Sequence, residues 1–523
     1  MNSTIGILLP LYIAVPLTVV AVLIVVRGHS LLRHLLTVGT LIAMLAGTGL
    51  LVAATADGDV FAHRLALWTN GISIPFVVDR FSALMLTVAC LLMLVSVQFA
   101  IATREARGHF FSPFVLVLGA GVSGALLTAD LFNLFVFIEV MLLPSYGLLI
   151  MMSNRRSING GRLYVTVNLL ASTLFLVGVG RIYAVAGTVN LAELGGAAAE
   201  SPTVAIAAGV ALSALAVKAA VFPVHGWLAR TYTFTSPAVT ALFSGLHTKV
   251  AIYAIYRIYP VVFDGDNAYL WVALLITSLT MVVGVFGAMG ESTTRSILVF
   301  HMVSQIGYIL VGVGLFTVLG LTAGIFYLLH HMIVKASLFL STGALEETYG
   351  TGDIDQLGGM AKREPVIAVA FIAAALSLAG LPPFSGFVAK LSLITAAVDD
   401  GAIVVAVVAL VVSLFTILSM LKIWSGVFNG TEPEGLEERA TAFRAGLQHP
   451  LAVDPDHPES LAAVEVAARA KARVPLALAL PSLVLACVTL GLGVGAQGLL
   501  GLAEQAALGL LDTTAYVQAV LGP

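Results

Sequence analysis

The chain has 523 residues, of which 59% are hydrophobic and only 10% are charged. In soluble domains roughly a quarter of all residues are charged. This chain has too few charged residues to cover a water-exposed surface, so most of its exterior must face lipid. The formal net charge of −3 provides no basic surface for nucleic acid, which excludes a nucleic-acid partner.

Long apolar stretches begin at the N-terminus and recur to the end of the chain. Residues 1–26 lack the positively charged start and the cleavage site of a signal peptide, so we predict a first transmembrane helix that is retained. Stretches of about 18 residues or more can cross the hydrocarbon core, and they predict an all-α polytopic membrane protein with about 14 transmembrane helices. The predicted spans are 5–26, 35–55, 78–102, 111–129, 131–152, 161–184, 203–226, 236–260, 268–289, 296–314, 317–344, 364–396, 402–427 and 474–502.

Basic residues between the spans indicate the orientation, because Lys and Arg are enriched in cytoplasmic loops. Each basic cluster follows an odd-numbered span, so the pattern predicts that both termini lie outside. The loops without such clusters, 56–77 and 185–202, are longer and contain the turn residues Gly, Asn and Asp. The basic clusters are Arg27/Arg33, Arg104/Arg107, Arg155/Arg156/Arg162, Arg295 and Lys362/Arg363.

Two spans contain a similar interruption. The seventh has Lys218 followed by a Phe-Pro pair, and the twelfth has Pro382 and Pro383 followed by Lys390. Broken helices at matching positions in two halves of a chain are typical of inverted-repeat transporters with a site at mid-membrane. We therefore predict broken helices 7 and 12.

One hydrophilic segment, 429–473, separates the last span from the others and is rich in Glu, Arg and Ala. Its final part, 459–473, has a composition compatible with an amphipathic helix that lies on the membrane or against a partner, and a solvated linker fits as well. The two cysteines, Cys90 and Cys487, lie in apolar runs, so we expect buried thiols rather than a disulfide framework or a metal cluster.

The functional signal is a set of ionisable residues inside apolar spans. A charge at the centre of a membrane helix costs about 2.5–3.5 kcal/mol on insertion scales, so such residues usually line an interior polar path. His301 and Gln305 flank the set. The candidate proton-translocation residues are Glu139, Lys218, His247, Lys249, His330, His331, Lys335 and Lys390.

Glu139 has only apolar neighbours in its span, and Lys218 is the single charge of the run 204–224. A carboxylate and a lysine that meet inside the membrane titrate as a coupled pair, so a change at one switches the other. We predict that these two residues form such a pair. The alternative is a buried glutamate that only holds helices together.

His247 and Lys249 are two residues apart and therefore face different sides of a helix. We interpret Lys249 as a proton relay, and His247 as either a relay or a hydrogen-bonded packing residue. His331 and Lys335 are four apart and share a face, whereas His330 points elsewhere. Histidine exchanges protons near neutral pH, so these residues are predicted to be relays as well.

A metal site at the two histidines is disfavoured because the closest carboxylates, Glu346 and Glu347, lie in the loop beyond the span. Lys390, past the break of the twelfth span, is predicted to open towards a water cavity. P-loop, dinucleotide-binding and nucleophile motifs are absent from the sequence. We therefore expect neither an enzyme nor a bound cofactor or metal.

Other charged residues have simpler interpretations. Arg181, Arg257 and Lys422 fall near predicted helix ends, where long side chains reach the membrane interface. Asp79 and Asp130 precede spans and fit the role of helix N-caps.

Several motifs together make the chain similar to the proton-translocating antiporter-like membrane subunits shared by Mrp-type multisubunit sodium/proton antiporters and respiratory complex I. As an ordered set, these motifs cover about 110–395. The loop sequence LGGMAKREP at 357–365 is most similar to the D-type branch of the antiporter subunits. The motifs are FIEVMLLP at 137–144, VKAAVFPVHGWL at 217–228, SPAVT at 236–240, SQIGY at 304–308, LGG at 357–359 and GLPPFSGF at 380–387.

The resemblance implies a charge pair of Glu139 and Lys218, a central relay of Lys249 with His330, His331 and Lys335, and a terminal Lys390. It also implies two inverted five-helix repeats, helices 4–8 and 9–13. The corresponding division of the chain is 1–109 for the N-terminal helices, 110–262 and 263–428 for the repeats, 429–473 for the insert, and 474–523 for the last helix and tail.

The expected function is therefore that of a proton-translocating subunit of a sodium/proton antiporter in a bacterial or archaeal cell membrane. Its expected partners are a homologous large subunit, small membrane subunits, the lipid bilayer, protons and, on a shared path, sodium. Two alternatives remain at this point. One is a proton-pumping subunit of complex I or of a membrane-bound hydrogenase, and the other is a structural scaffold whose charges only lock helices together.

Overall fold

The computed structural model describes residues 2–26, 29–65, 73–151, 155–444 and 472–522. The chain starts with α1 (Asn2–Leu8), α2 (Leu11–Val25) and α3 (Ser30–Ala54). Strands β1 (Phe61–Arg64) and β2 (Pro75–Val78) then pair antiparallel, with Phe61 opposite Val78 and Arg64 opposite Pro75. The sequence analysis predicted only a loop here, so this small hairpin is an addition to the predicted all-α fold.

The first half of the bundle continues from the hairpin. Its helices are α4 (Arg80–Ala102), α5 (Phe111–Leu127), α6 (Leu131–Ile150), α7 (Arg155–Ala186), α8 (Ala197–Glu200), α9 (Pro202–Lys218), α10 (Gly226–Thr231) and α11 (Pro237–Phe263).

The second half has a similar sequence of long and short helices. They are α12 (Leu270–Gly290), α13 (Thr294–Leu315), α14 (Val318–Tyr349), α15 (Met360–Arg363), α16 (Pro365–Ala379), α17 (Ser385–Asp399), α18 (Ile403–Ile423, prolonged by a π-helical turn Trp424–Asn429), α19 (Leu436–Arg444), α20 (Leu476–Val494), α21 (Ala496–Leu511) and α22 (Thr514–Leu521).

Eleven helices of the described chain are long and apolar enough to cross a membrane, and α5, α9 and α16 are shorter apolar helices. The chain is therefore a predominantly helical multi-span membrane protein, as predicted. The count of fourteen spans, the domain division and the inverted repeat remain predictions. The predicted amphipathic helix at 459–473 falls mainly outside the described residues.

Three helices form the interior of the described bundle. Almost every residue of α11, α13 and α14 is buried, whereas most residues of α2 and α3 are accessible at the protein exterior. A helix that is apolar on all sides and enclosed by protein has no lipid-facing stripe. Polar groups on α11 and α14 are thus separated from lipid by the surrounding helices.

Both interrupted spans are observed. The first break separates Lys218, the last residue of α9, from the start of α10, and the second separates α16 from α17. At the second break the chain turns sharply, since Gly380 has a φ of +88°, and a Cβ at Gly386 would lie 1.7 Å from the carbonyl oxygen of Ser377. Only glycine fits such an approach, so the start of α17 lies directly against the end of α16.

Side chains at the helix starts confirm two predictions. Asp79 accepts a hydrogen bond from the Ser82 N–H (2.9 Å) at the start of α4, and Asp130 accepts one from the Asn133 N–H (2.7 Å) at the start of α6. Both carboxylates are therefore N-caps. Cys90 is buried as expected, but Cys487 is exposed on the outer side of α20, which corrects its predicted burial.

The basic loops meet at one end of the bundle. Arg33 donates to the carbonyl of Arg107 (3.3 Å), Arg295 forms an ion pair with Glu346, and Arg363 forms ion pairs with Glu432 and Glu437. We call this end the basic face. The hairpin lies at the opposite end, where β1 and β2 contact α1 and α22.

Candidate functional site

The eight candidate residues lie on five helices: α6, α9, α11, α14 and α17. We call them the polar file. Seven of them are buried, and Glu139 is half-buried. The structure describes all eight, and it shows how they are connected.

Glu139 and Lys218 are joined through a hydroxyl group. Ser172 of α7 donates a hydrogen bond to Glu139 Oε1, and Lys218 Nζ donates to the same Ser172 Oγ (2.8 Å) and to the carbonyl oxygen of Asn168 (3.4 Å). The ion pairs of the described residues do not include a direct Glu139–Lys218 contact. The predicted pair is thus a three-member unit in which Ser172 separates the charges.

The next member, His247, lies across a small cavity from Lys218. This cavity of about 10 Å³ is lined by both residues together with Asn168 and Trp227, a size that admits about one water molecule. Nε2 of His247 is 2.6 Å from Ser145 Oγ. His247 is therefore hydrogen-bonded and also adjacent to the charged unit, so the packing and relay interpretations are compatible.

Lys249 occupies the centre of the bundle with no exposed surface. Its Nζ donates to the hydroxyl of the neighbouring Thr248 (3.0 Å). It interacts electrostatically with both His331 and Lys335 of α14, the helix that packs against α11. These three residues form a cluster of basic groups, and none of them has exposed surface.

The α14 residues diverge as the helical spacing predicts. Lys335 donates to the carbonyl of Leu298 on α13 (2.8 Å), and His330 Nδ1 is 2.8 Å from Ser385 Oγ on α17. Within the described chain, both ring nitrogens of His331 lack a hydrogen-bond partner. Buried polar atoms are normally satisfied by protein or by water, so His331 is a place where an internal water would complete the file.

Lys390 extends back towards the break of its own span. Its Nζ donates to the carbonyl of Ala379 (3.0 Å), the last residue of α16, and lies 5.3 Å from the centre of the Tyr308 ring. The carbonyl end of a helix carries partial negative charge and stabilises a cation. At the break in the twelfth span, the carbonyl end of α16 therefore stabilises the charge of Lys390, which has no ion-pair partner within the described residues.

The hydroxyl groups that connect the file were not predicted from the sequence. Ser385 contacts both His330 and Thr489, which is contributed by α20, and Ser377 lies 3.2 Å from Thr489. Like Ser172, these residues carry no charge and lie in ordinary apolar helices, so composition does not single them out. The one available signal is that serine and threonine in membrane helices often make interhelical hydrogen bonds.

The flanking residues are also hydrogen-bonded within the bundle. Nε2 of His301 is 2.5 Å from Ser419 Oγ, and the Tyr327 hydroxyl donates to Oε1 of Gln305. His301 interacts electrostatically with Lys335 and Lys390. It therefore lies beside the second half of the file, as its position in the sequence indicates.

One charged residue differs from its predicted role. Arg257 was expected to extend to the membrane interface, but it is only 3% exposed and pairs with Asp79 at 2.6 Å. Its guanidinium also lies 4.8 Å from the centre of the Tyr516 ring. The reason is that the start of α4 brings a carboxylate to the end of α11, where an ion pair replaces solvation. Arg181, by contrast, is exposed, and Lys422 donates to carbonyls at the end of α12.

These observations define a class: a multi-span membrane protein with a buried file of basic residues that starts at one carboxylate. Residues 128–416 match the family described as the transmembrane region of NADH:quinone oxidoreductase and Mrp antiporters. The chain belongs to this family.

Relatives of known identity match over nearly the whole chain. It is 36% identical to the D subunit of the Na⁺/H⁺ antiporter of Alkalihalophilus pseudofirmus, over 97% of this chain and 98% of that one. A chain in the structure of the Mrp complex from Dietzia has 55% identity and a TM-score of 0.90, and covers 98% of this chain and 99% of that chain. A chain of complex I from Thermus thermophilus shares the fold at 22% identity, with a TM-score of 0.76 and coverage of 96% of this chain and 100% of that chain.

Proposed function

We propose that this protein is the proton-translocating D-type subunit of a multisubunit sodium/proton antiporter in a bacterial cell membrane. The observation that carries the proposal is the polar file, which links one carboxylate to buried basic groups on four further helices. The sequence similarity to Mrp-type subunits, at 36% and 55% identity over 97% and 98% of this chain, supports an antiporter role rather than a role in complex I.

In the proposed mechanism, the charge state of Glu139 controls Lys218 through Ser172. A proton then passes by way of His247 and the cavity next to it to Lys249, and from there through His331 and Lys335. His330 and the hydroxyls of Ser385 and Thr489 connect this central cluster to Lys390. These roles agree with the electrostatic contacts of His330 with Lys390 and of Lys335 with Lys249.

The proposed partners and membrane orientation follow from the same function. Its partners are a homologous large subunit and small membrane subunits, and sodium passes through a path that is shared with them or located in them. The basic face is cytoplasmic and both termini are outside, because Lys and Arg accumulate in cytoplasmic loops. Residues 110–262 and 263–428 form the two inverted repeats.

The test measures sodium-driven proton movement in membrane vesicles that contain the whole complex. Glu139→Ala removes the carboxylate whose charge state controls Lys218, and Lys218→Ala removes the first basic group of the polar file. In either variant the proposed relay loses its first step. We therefore expect Glu139→Ala and Lys218→Ala to abolish exchange in complexes that assemble normally. Glu200→Gln, a charge removal at an exposed position, is the control. Exchange near the wild-type rate in both file variants would contradict the proposal.

A further inference from the structure

A polar cavity lies at the basic face, between the two halves of the bundle. Its volume is about 370 Å³, and its lining includes Thr235, Arg295, Glu346, Glu347 and, from α19, Phe443. Helix α19 belongs to the hydrophilic insert, whose role the sequence left open. One residue of the described insert, Phe443, thus contributes to the lining of this cavity.

The cavity contains a polar group that requires a partner. Thr235 is only 2% exposed, and its hydroxyl has no hydrogen-bond partner among the described residues. Arg295 donates to the backbone carbonyl of the same residue and pairs with Glu346. A buried hydroxyl beside a cavity of this size is normally satisfied by water, so the cavity is a site for water molecules.

A third carboxylate, Glu105, lies next to the cavity lining, on the turn that follows α4. Its Oε1 accepts a hydrogen bond from the hydroxyl of Ser236 (2.7 Å), the N-cap of α11. Glu347 repels it and Arg295 attracts it, while Arg104 and Arg107 on its own turn point to the exterior. Since Arg295 is engaged with Glu346, Glu105 and Glu347 are two nearby carboxylates that share little positive charge.

Burial is the main reason that the pKa of Glu105 rises from its ordinary value of 4.5 to about 7. Repulsion by Glu347 raises the pKa further, whereas the Ser236 hydrogen bond and Arg295 oppose the increase. A carboxyl group with this pKa both takes up and releases protons near neutral pH, which is the condition for an efficient proton-exchange group.

A ladder of hydroxyl groups leads from Glu105 into the membrane. Ser236, Thr240, Ser244 and Thr248 follow one another at four-residue intervals on α11, and all are buried. Residues with this spacing share one helix face and lie about 6 Å apart, a gap that one water molecule can bridge. The last of them, Thr248, accepts the hydrogen bond of Lys249 Nζ (3.0 Å).

We propose that Glu105 and this hydroxyl ladder form the route by which protons pass between the cavity at the basic face and Lys249, with Glu105 as the proton-exchange site. The inference rests on the proposed proton-translocating function and adds its connection to water. From Ser236 to Thr248 the route is about 18 Å long along α11, given the rise per residue of a helix.

The experiment compares sodium-driven proton movement of whole complexes in vesicles between about pH 6 and 9, a range that covers the titration of such a group. We expect Glu105→Gln to lower the rate of sodium-driven proton movement at least tenfold. We also expect this variant to lose the change in rate that the wild type shows near pH 7. Glu291→Gln, a carboxylate removal on the same face but outside the cavity, is the control. Thr248→Val is expected to slow exchange as well, and Thr248→Ser to restore it, since it keeps the hydroxyl.

A stability measurement separates a folding defect from a transport defect. Because the pKa of Glu105 is raised in the folded protein, the folded state binds the carboxyl proton more tightly than the unfolded state does. The stability that this proton contributes is lost as pH rises from about 4.5 to about 7. The melting temperature of the wild-type complex should fall over this range more than that of Glu105→Gln.

Comparison with Glu139→Ala distinguishes a failure of the proposed route from a failure of the proposed function. If Glu139→Ala abolishes exchange while Glu105→Gln and Thr248→Val keep the wild-type rate and pH profile, the route is wrong and the function stands. If Glu139→Ala also leaves exchange intact, the proposed function itself fails.

Discussion

Ser172 offers the sharpest test of how the file works, because it joins two charged residues without carrying a charge. In Ser172→Ala, Lys218 loses its 2.8 Å hydrogen bond to the hydroxyl, and Glu139 loses the bond that Ser172 donates. The helices and both charges remain. The variant therefore removes only the connection between the carboxylate and the lysine.

The size of the effect follows from the two bonds. A hydrogen bond to a charged group contributes about 1.5–3 kcal/mol to stability. Lys218 keeps a longer contact to the carbonyl of Asn168 at 3.4 Å, which offsets part of the loss. If one such bond supports the transition between charge states, the rate of exchange should fall by about 10-fold to 150-fold.

The assay is sodium-driven proton movement in vesicles that contain the whole complex, normalised to the amount of assembled complex. Thr173→Val is the matched control, because it removes a hydroxyl from the adjacent, exposed position of α7. That hydroxyl donates to the Leu169 carbonyl of its own helix. Ser172→Thr keeps a hydroxyl and should retain most of the activity. Equal rates for Ser172→Ala, Thr173→Val and wild type would refute the idea that this hydroxyl couples the two charges.

Further predictions concern the terminal lysine and the buried ion pair. The Lys390→Ala variant should assemble in normal amounts and lose sodium-driven proton movement. A scaffold role predicts instead that assembly is poor and that the complexes that do form keep some exchange. Immunoprecipitation of the partner subunits, together with the exchange assay, decides between the two. Asp79→Asn should lower the melting temperature of the complex, because it leaves Arg257 buried without its 2.6 Å partner, a loss of about 3–5 kcal/mol for a buried pair. The double variant Asp79→Asn with Arg257→Met should recover part of that loss, and a double variant less stable than Asp79→Asn would contradict the assignment of the cost to an unpaired charge.

The sequence predicted the fold class and the positions of the broken spans because both depend on hydrophobic length and on Pro and Gly residues. Long apolar runs separated by basic loops leave few alternatives to a helical bundle in lipid. The β1–β2 hairpin escaped prediction because its strands are four residues each and occupy a loop with no clear alternation.

The candidate residues were predictable for an energetic reason, whereas their contacts were not. A lysine or glutamate inside an apolar run is conspicuous because its insertion is costly. Ser172, Ser385 and Thr489 cost little in a membrane helix, so nothing in a single sequence distinguishes them from packing residues. The same limit explains Arg257, since its partner Asp79 lies 178 positions earlier in the chain and only the folded bundle brings the two together.

The arrangement of charges implies a way of moving protons by displacement. Lys249, His331 and Lys335 interact with one another in a region without exposed surface, and two like charges 4 Å apart repel by about 4 kcal/mol at an effective dielectric constant of 20. In the proposed mechanism, a proton that arrives at one member of this cluster therefore favours the departure of another, towards His330 and Lys390. Glu139 is the only acidic member of the file and is half-buried, so we expect a neighbouring subunit of the complex to act on its charge. In the proposed mechanism, the complex would thereby set when the basic cluster accepts the next proton.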